Sequence, residues 1–400
     1  MNQRSLLTFL LAALTRAHAN DETNLEEFCD LTPDGTQRTC IESTEFNGER
    51  CFYTKVPQCA GNNAPLVFDI HGYKSCPFYH SYYSGWLEQA DKDCFVVVLP
   101  LGTTDPSISG STCWGLPGGL IDDTQSFTSD SCCCDQVTDN DDVAFLRQVA
   151  AVLSRDIPIE TSNDVTIDTK RIYMAGHSNG CMASTAMAST QSDLVAAVGC
   201  HSGTAVTPFP DTYSPTPILM VHGTADIVVG YDINLVLGAD TDLVLFGVQT
   251  AYKLISQING CNELEEKVTL SNDTNNVTEY RSTSCTNNAN VVLYAIDGVG
   301  HFPYTSAEIL DLNEVGTVPT KIDTTQLAWD FMKVYSSEAT PELIVYEKNS
   351  APVSAAPVTA EPVSAAPSAS TSASPSSSSE AASVFLIMIT VVLLKWHERW

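Results

Sequence analysis

The 400-residue sequence predicts an α/β domain built on a largely parallel sheet between helical layers. Three observations carry this. Short continuous apolar runs that end in glycine, such as PLVFDIHG (residues 65–72) and PILMVHG (217–223), have the pattern of strands covered on both faces. Segments of helical composition stand between them. The two patterns alternate along most of the chain, as parallel strands joined by crossover helices require.

Taken in order, the chain from about Asn20 to Pro65 is polar, carries Cys29, Cys40, Cys51 and Cys59, and contains the strand-like RCFYTKVP, which together read as a bridged leading edge. PLVFDIHG follows as a central strand, YYSGWLEQADKDC as a helix and FVVVLP as a second buried strand. DDVAFLRQVAAVLSRD places Val143, Leu146, Val149 and Leu153 near one helical face, with Arg147, Gln148 and Arg155 off it. RIYMAG is then a strand that breaks abruptly into the small-residue run CMASTAMAS. LVAAVGCHSG, PILMVHGTAD and NVVLYAIDG are further strands, with helices over FGVQTAYKLISQING and TTQLAWDFMKVY. In open sheets of this kind ligands bind outside the carboxyl ends of the strands, so functional residues are expected just after them.

Both ends of the chain fall outside this domain. Residues 1–19 have Arg4, an apolar stretch from Leu6 to Leu14 and a small-residue end at Ala19, the pattern of a signal peptide. The domain is expected over residues 20–347. Residues 348–382 form an Ala/Pro/Ser-rich run with too little apolar side chain to fold, an extended stalk that at about 3.1 Å per residue reaches on the order of 100 Å. Residues 383–400 are an apolar tail whose core, Val384 to Leu394, covers as a helix roughly half of a bilayer core of about 30 Å. It reads as a GPI signal, a short membrane anchor or neither, and the terminal KWHERW departs from the GPI pattern. Secretion to the medium or the cell surface is the expectation.

Fourteen cysteines suit an oxidising compartment. No pair of C-x-x-C motifs stands at zinc-site spacing, and Cys132 to Cys134 are too cramped for one tetrahedral site. Cys261 and Cys285 flank a polar excursion and are the expected local pair. Cys181 and Cys200 are candidates for bridges near the site, without assigned partners. The excursion holds two N-x-[ST] sequons, at Asn272 and Asn276, and reads as a glycosylated surface loop. A formal charge of −29 argues against a nucleic-acid partner.

The candidate chemistry centres on AGHSNG, Ala175 to Gly180. A G-x-S-x-G turn puts glycines where a strand-to-helix elbow crowds the backbone and exposes the serine, here Ser178, above a sheet. An ordinary turn serine is the alternative. Acyl transfer also needs a base and an acid that orients it, in the chain order Ser, Asp or Glu, His. Asp226 follows the strand PILMVHG and His301 follows NVVLYAIDG. His201 and His222 precede or flank Asp226, so His301 is the only later histidine apart from His397 in the tail. Taken singly, Asp226 reads equally as a turn former and His301 as a packed loop residue. Their joint order, each at a strand end, favours a triad. The amides of Tyr73, after DIHG, and Asn179, after the nucleophile, are the candidate oxyanion donors, with His71 a structural prop.

PLVFDIHGY, GWLEQADKDCFVVVLP, STCWG, DDVAFLRQV, RIYMAGHSNGCM, HGTADIVVGY and GVGHF resemble, in order and spacing, the blocks of the secreted feruloyl esterase and polyhydroxybutyrate depolymerase-like α/β-hydrolases. The resemblance runs from about Arg50 to Val334. It implies a three-layer α/β-hydrolase sandwich and serine ester hydrolysis, with Ser178 as nucleophile, His301 as base and then acid, and Asp226 as its orienter. It places Trp114 at the acyl pocket, with core packing as the alternative, and it implies no metal or organic cofactor. The expected partner is an ester, either small or part of a polymer such as cell-wall polysaccharide or polyester. CWGLPGGLIDD and CCCD depart from the family pattern where substrate access is shaped. A peptidase or acyltransferase on the same fold, and a surface display protein without turnover, are the alternative functions.

Overall fold

The computed structural model describes residues 29–43, 46, 48–104, 112–116, 141–155, 157, 164–232, 235–236, 244–245, 247–271, 276–305, 322–339 and 341–344. The expected leader, stalk and tail, Cys132 to Cys134 and Asn272 lie outside them. Along the chain the strands are β1 (Gln37–Glu42), β2 (Glu49–Lys55), β3 (Ala64–Ile70), β4 (Val96–Pro100), β5 (Thr103–Thr104), β6 (Thr112–Cys113), β7 (Ile167–His177), β8 (Ala197–His201), β9 (Ile218–Gly223), β10 (Leu235–Val236), β11 (Val244–Leu245), β12 (Glu263–Ser271), β13 (Asn276–Thr283) and β14 (Val291–Ile296). The helices are α1 (Pro77–Ser84), α2 (Trp86–Asp93), α3 (Asp142–Arg155), α4 (Asn179–Thr190), α5 (Val248–Ile258) and α6 (Thr324–Met332).

Ten strands form one sheet in the order β1-β2-β4-β3-β7-β8-β9-β14-β13-β12. The six from β4 to β14 are parallel. Antiparallel strands extend both edges. The chain steps from β3 to β4 on one side and returns to lay β7 on the other. The strand order therefore reverses between β3 and β7, where open α/β sheets form their ligand crevice.

The unbroken apolar runs are explained by burial on both faces. Phe68 and Ile70, Val96 and Val98, and Ile172 and Met174 join one apolar layer with Leu146 of α3, Met182 of α4 and Ile255 of α5. Their neighbours Val67, Val97, Leu99, Tyr173 and Ala175 face the other layer, against Trp86 of α2 and Trp329 and Met332 of α6. That makes three layers, and with the strand order it is the α/β-hydrolase architecture.

The structure differs from the sequence reading in three places. The single helix expected around YYSGWLEQADKDC is two, because Gly85 takes φ 74° between α1 and α2. Gln148, expected off the apolar face of α3, is 4% exposed, since the sheet and α4 cover the helix on more than one side. The polar excursion between Cys261 and Cys285 is mostly a hairpin, paired from Glu263 with Thr283 to Ser271 with Asn276. Its period-2 signal is masked because one inward position is Glu279, buried with Tyr294 donating to its carboxylate at 2.9 Å. Asn276 opens β13 with its side exposed. The Cys261–Cys285 bridge is present as expected, and Cys29–Cys76, Cys40–Cys51 and Cys59–Cys94 staple the leading edge.

Candidate active site

Ser178 ends β7 and caps α4 with φ 55° and ψ −119°. A non-glycine residue in that region costs about 1–3 kcal/mol and persists only where its surroundings enforce it. Here they do. The Ser178 N–H donates to His201 O at 2.9 Å, and Ser178 O accepts from Met182 N at 3.1 Å. A Cβ on Gly180 would sit 2.0 Å from Ile70 O, and one on Gly176 would sit 2.4 Å from Gly180 O, so both elbow glycines are sterically required. One turn into α4, Cys181 is bridged to Cys200 of β8.

The candidate acid and base, Asp226 and His301, follow the two strands beyond β8. Asp226, after β9, is 6% exposed, and His301, after β14, is 5% exposed. His301 Nδ1 donates to Asp226 Oδ2 at 2.8 Å. That bond sets the tautomer, with the proton on Nδ1 and the lone pair on Nε2. Asp226 Oδ1 accepts the amides of Val228 at 2.8 Å and Val229 at 3.0 Å. His222 Nε2 lies 3.2 Å from Oδ2 and 2.8 Å from Val229 O, and so donates between them. Burial works against the Asp226 charge. The positive field and hydrogen bonds of His301 and His222 outweigh it and hold the carboxyl well below the usual carboxylate range.

The residue after the nucleophile, Asn179, opens a 12-residue helix, so its N–H has no partner within α4 and lies at the positive end of the helix dipole. The β3 loop reaches the elbow through Gly72, whose missing Cβ would stand 3.3 Å from Ser178 Cβ. Tyr73 follows with its side chain 38% exposed. His71 props this loop: its Nδ1 donates to Gly72 O at 2.8 Å and its Nε2 accepts the Gly102 N–H at 3.0 Å. Burial pushes the His71 imidazole down to about 3, so it stays neutral in that role.

Trp114 is fully buried. Its Nε1 donates to His71 O at 2.9 Å and its backbone N–H to Asn179 Oδ1 at 2.8 Å, so it ties together the loop after β3 and the start of α4. The packing alternative describes it better than the acyl-pocket one, because its polar atoms are spent on the protein. The loop that carries it is anchored by Asp142, which accepts the Gly115 N–H at 2.6 Å and pairs with Arg50 at 2.7 Å. Burial raises the Asp142 carboxyl despite Arg50.

Two residues to which the sequence reading gave no role, His222 and Asp142, thus shape the site, and Cys181 and Cys200, expected to bridge near it without assigned partners, are bridged to each other. HGTAD held a signal for His222, since residues four apart after a strand can meet across a turn. Nothing local marks Asp142 as a brace for a loop in the preceding segment.

No family model matches the chain. Over 269 residues it is 26% identical to a bifunctional acetylxylan esterase/xylanase of Neocallimastix patriciarum, an alignment covering 67% of this chain and 33% of that protein, so the chain spans about a third of that relative's length. Among solved structures, an acetyl xylan esterase from Aspergillus awamori is similar with 13% identity and a TM-score of 0.47, covering 74% of this chain and 99% of the other. A CE1 ferulic acid esterase from Anaeromyces mucronatus, in complex with ferulic acid, is similar with 14% identity and a TM-score of 0.38, covering 73% and 94%. By strand order and by the elbow at Ser178 this chain is an α/β-hydrolase in fold, and in sequence it is similar to an acetylxylan esterase/xylanase.

Proposed function

We propose that the chain is a secreted serine carboxylesterase that removes acyl groups, acetyl or feruloyl, from a xylan-like polysaccharide. The observation that carries the reading is the 2.8 Å His301–Asp226 bond, formed between two strand-end loops at the same end of the sheet as the strained Ser178. The 26% identical relative, whose name includes acetylxylan esterase, supports the substrate class. The described bridges suit a secreted protein.

In this reading His301 Nε2 takes the Ser178 Oγ proton as Oγ bonds to the ester carbonyl carbon. The oxyanion is held by the Asn179 and Tyr73 amides. His301 then gives the proton to the departing sugar oxygen; water, deprotonated by the same nitrogen, attacks the acyl carbon, and the proton passes to Ser178 Oγ as the Oγ–carbon bond breaks and the acid leaves. Asp226 keeps Nδ1–H oriented and stabilises the transient imidazolium.

The test is intact mass and peptide mapping of the secreted protein after a fluorophosphonate probe, followed by acid release from acetylated xylan and methyl ferulate. One adduct on Ser178 with release from either substrate is expected. No adduct on folded protein would overturn the reading. An adduct with release from neither substrate would keep the nucleophile and discard the polysaccharide ester.

A further inference from the structure

Next to His301 lies a second line of buried polar groups that the triad chemistry does not use. His177, the residue before the nucleophile, donates from Nε2 to the backbone carbonyl of His301 at 2.7 Å. Its Nδ1 lies 3.4 Å from the Tyr83 hydroxyl. That hydroxyl is 2.8 Å from His80 Nδ1, and His80 Nε2 is 2.6 Å from Asp69 Oδ1. Asp69 Oδ2 accepts from Ser84 Oγ at 2.6 Å. All five of these side chains are 2% exposed or less. Two of them, His80 and Ser84, are on α1, together with Tyr83, whereas Asp69 is in β3 and His177 in β7.

Resting on the esterase reading above, we infer that Asp69, His80, Tyr83 and His177 form a directed hydrogen-bond chain that sets the position of the His301 loop, with His177 and Tyr83 as positioning residues for the catalytic base. With Asp69 and His80 taken as an ion pair, counting protons gives one consistent direction. A carbonyl can only accept, so His177 carries its proton on Nε2, and its Nδ1 is left to accept from Tyr83. The phenol has one proton. Given to His177, it leaves the phenol oxygen to accept from His80 Nδ1, and His80 then donates from both nitrogens. A buried Asp69 carboxylate that accepts on both oxygens calls for that ion-paired partner.

The His177 ring is also clamped, with Phe302 at 4.7 Å and Tyr83 at 5.5 Å between centroids. Phe302 directly follows the base, so His177 holds the loop by its backbone and by its neighbour's ring. Burial, the nearby His301 charge and the other histidines push the His177 imidazole well below its ordinary value, in keeping with a neutral ring. The hydrogen bond is to the main chain of His301, and the two imidazole rings also pack with 4.8 Å between centroids, so His177 fixes where the His301 imidazole stands.

The experiment uses the full chain, secreted and bridged, with p-nitrophenyl acetate as substrate and four variants: His177→Leu, His177→Gln, Tyr83→Phe and Ser178→Ala. A misplacement of about 1 Å can cost on the order of a hundredfold in rate. His177→Leu is expected to lower kcat by about that factor with KM within about twofold. His177→Gln, whose amide can still donate to His301 O, is expected to recover about tenfold of the loss, and Tyr83→Phe to lower kcat by a few-fold. Wild-type kcat in His177→Leu, or Gln no better than Leu, overturns the inference while leaving the esterase reading intact. If His177→Leu is not secreted, unchanged kcat in both His177→Gln and Tyr83→Phe overturns it. Activity that is absent from the wild type, or retained by Ser178→Ala, overturns the esterase reading itself and this inference with it.

Discussion

Ser178 and His301, the proposed nucleophile and base, are held in place by opposite means. Ser178 is positioned by exclusion: glycines that admit no Cβ, a backbone angle enforced by its neighbours, and a bridge one turn into the helix. His301 and Asp226 are positioned by attraction, through hydrogen bonds from His222, the Val228 and Val229 amides and His177. Steric placement is intolerant of added atoms. Polar placement is intolerant of a lost proton or lone pair. The two halves therefore differ in what breaks them.

Four variants and a pH series probe that difference. Ser178→Ala removes the attacking oxygen without adding bulk, and ester turnover should fall about a million-fold with the circular dichroism unchanged. Asp226→Asn keeps the shape but presents an amide to His301, disfavouring the productive tautomer. Its kcat should fall about ten-thousand-fold, and at neutral pH it should also lose the stability that the charged Asp226 carboxylate contributes. Gly180→Ala belongs to the steric half, since its Cβ would meet Ile70 O at 2.0 Å. A shift of the elbow should cost about a hundredfold in kcat and lower Tm at the same time. Wild-type Tm in Gly180→Ala would dissolve the contrast.

The pH series sharpens the polar half. The Asp226 carboxyl lies below its unfolded value of about 3.9, so its contribution to stability is present above about pH 4 and is lost progressively as pH falls below that. The Tm of wild type should therefore drop relative to Asp226→Asn as pH is lowered from 5 to 2, measured by scanning calorimetry. The smallest effect on activity belongs to the far edge of the sheet. Replacing both Cys261 and Cys285 by serine should cost about 2–4 kcal/mol of stability by denaturant titration and leave kcat within about twofold.

The same contrast explains what could be read from the sequence. An elbow needs glycines at fixed short spacing, so AGHSNG announces itself in six letters, and the apolar runs reveal the sheet because both faces are covered. Asp226 and His301 were legible from their order and their places after strands. The supports of the base were not, because Asp69, His80, Tyr83 and His177 come from two strands and a helix that meet only in the folded sheet. The β12–β13 hairpin was hidden for a related reason: Glu279 points inward, and a buried carboxylate erases the alternation by which strands are recognised.

The order of strands has a consequence for how the molecule acquires activity. The base and its acid are 75 residues apart, and β7, β9 and β14 must all be in register before their loops share one end of the sheet. No hairpin or helix pair contains a partial site that a fragment could retain. Contacts this distant in sequence close late and slowly during folding. On the esterase reading, ester turnover would be a readout of strands β7, β9 and β14 in register, and an enzymatic assay on nascent or refolding chains would count only molecules in which the last of these has docked.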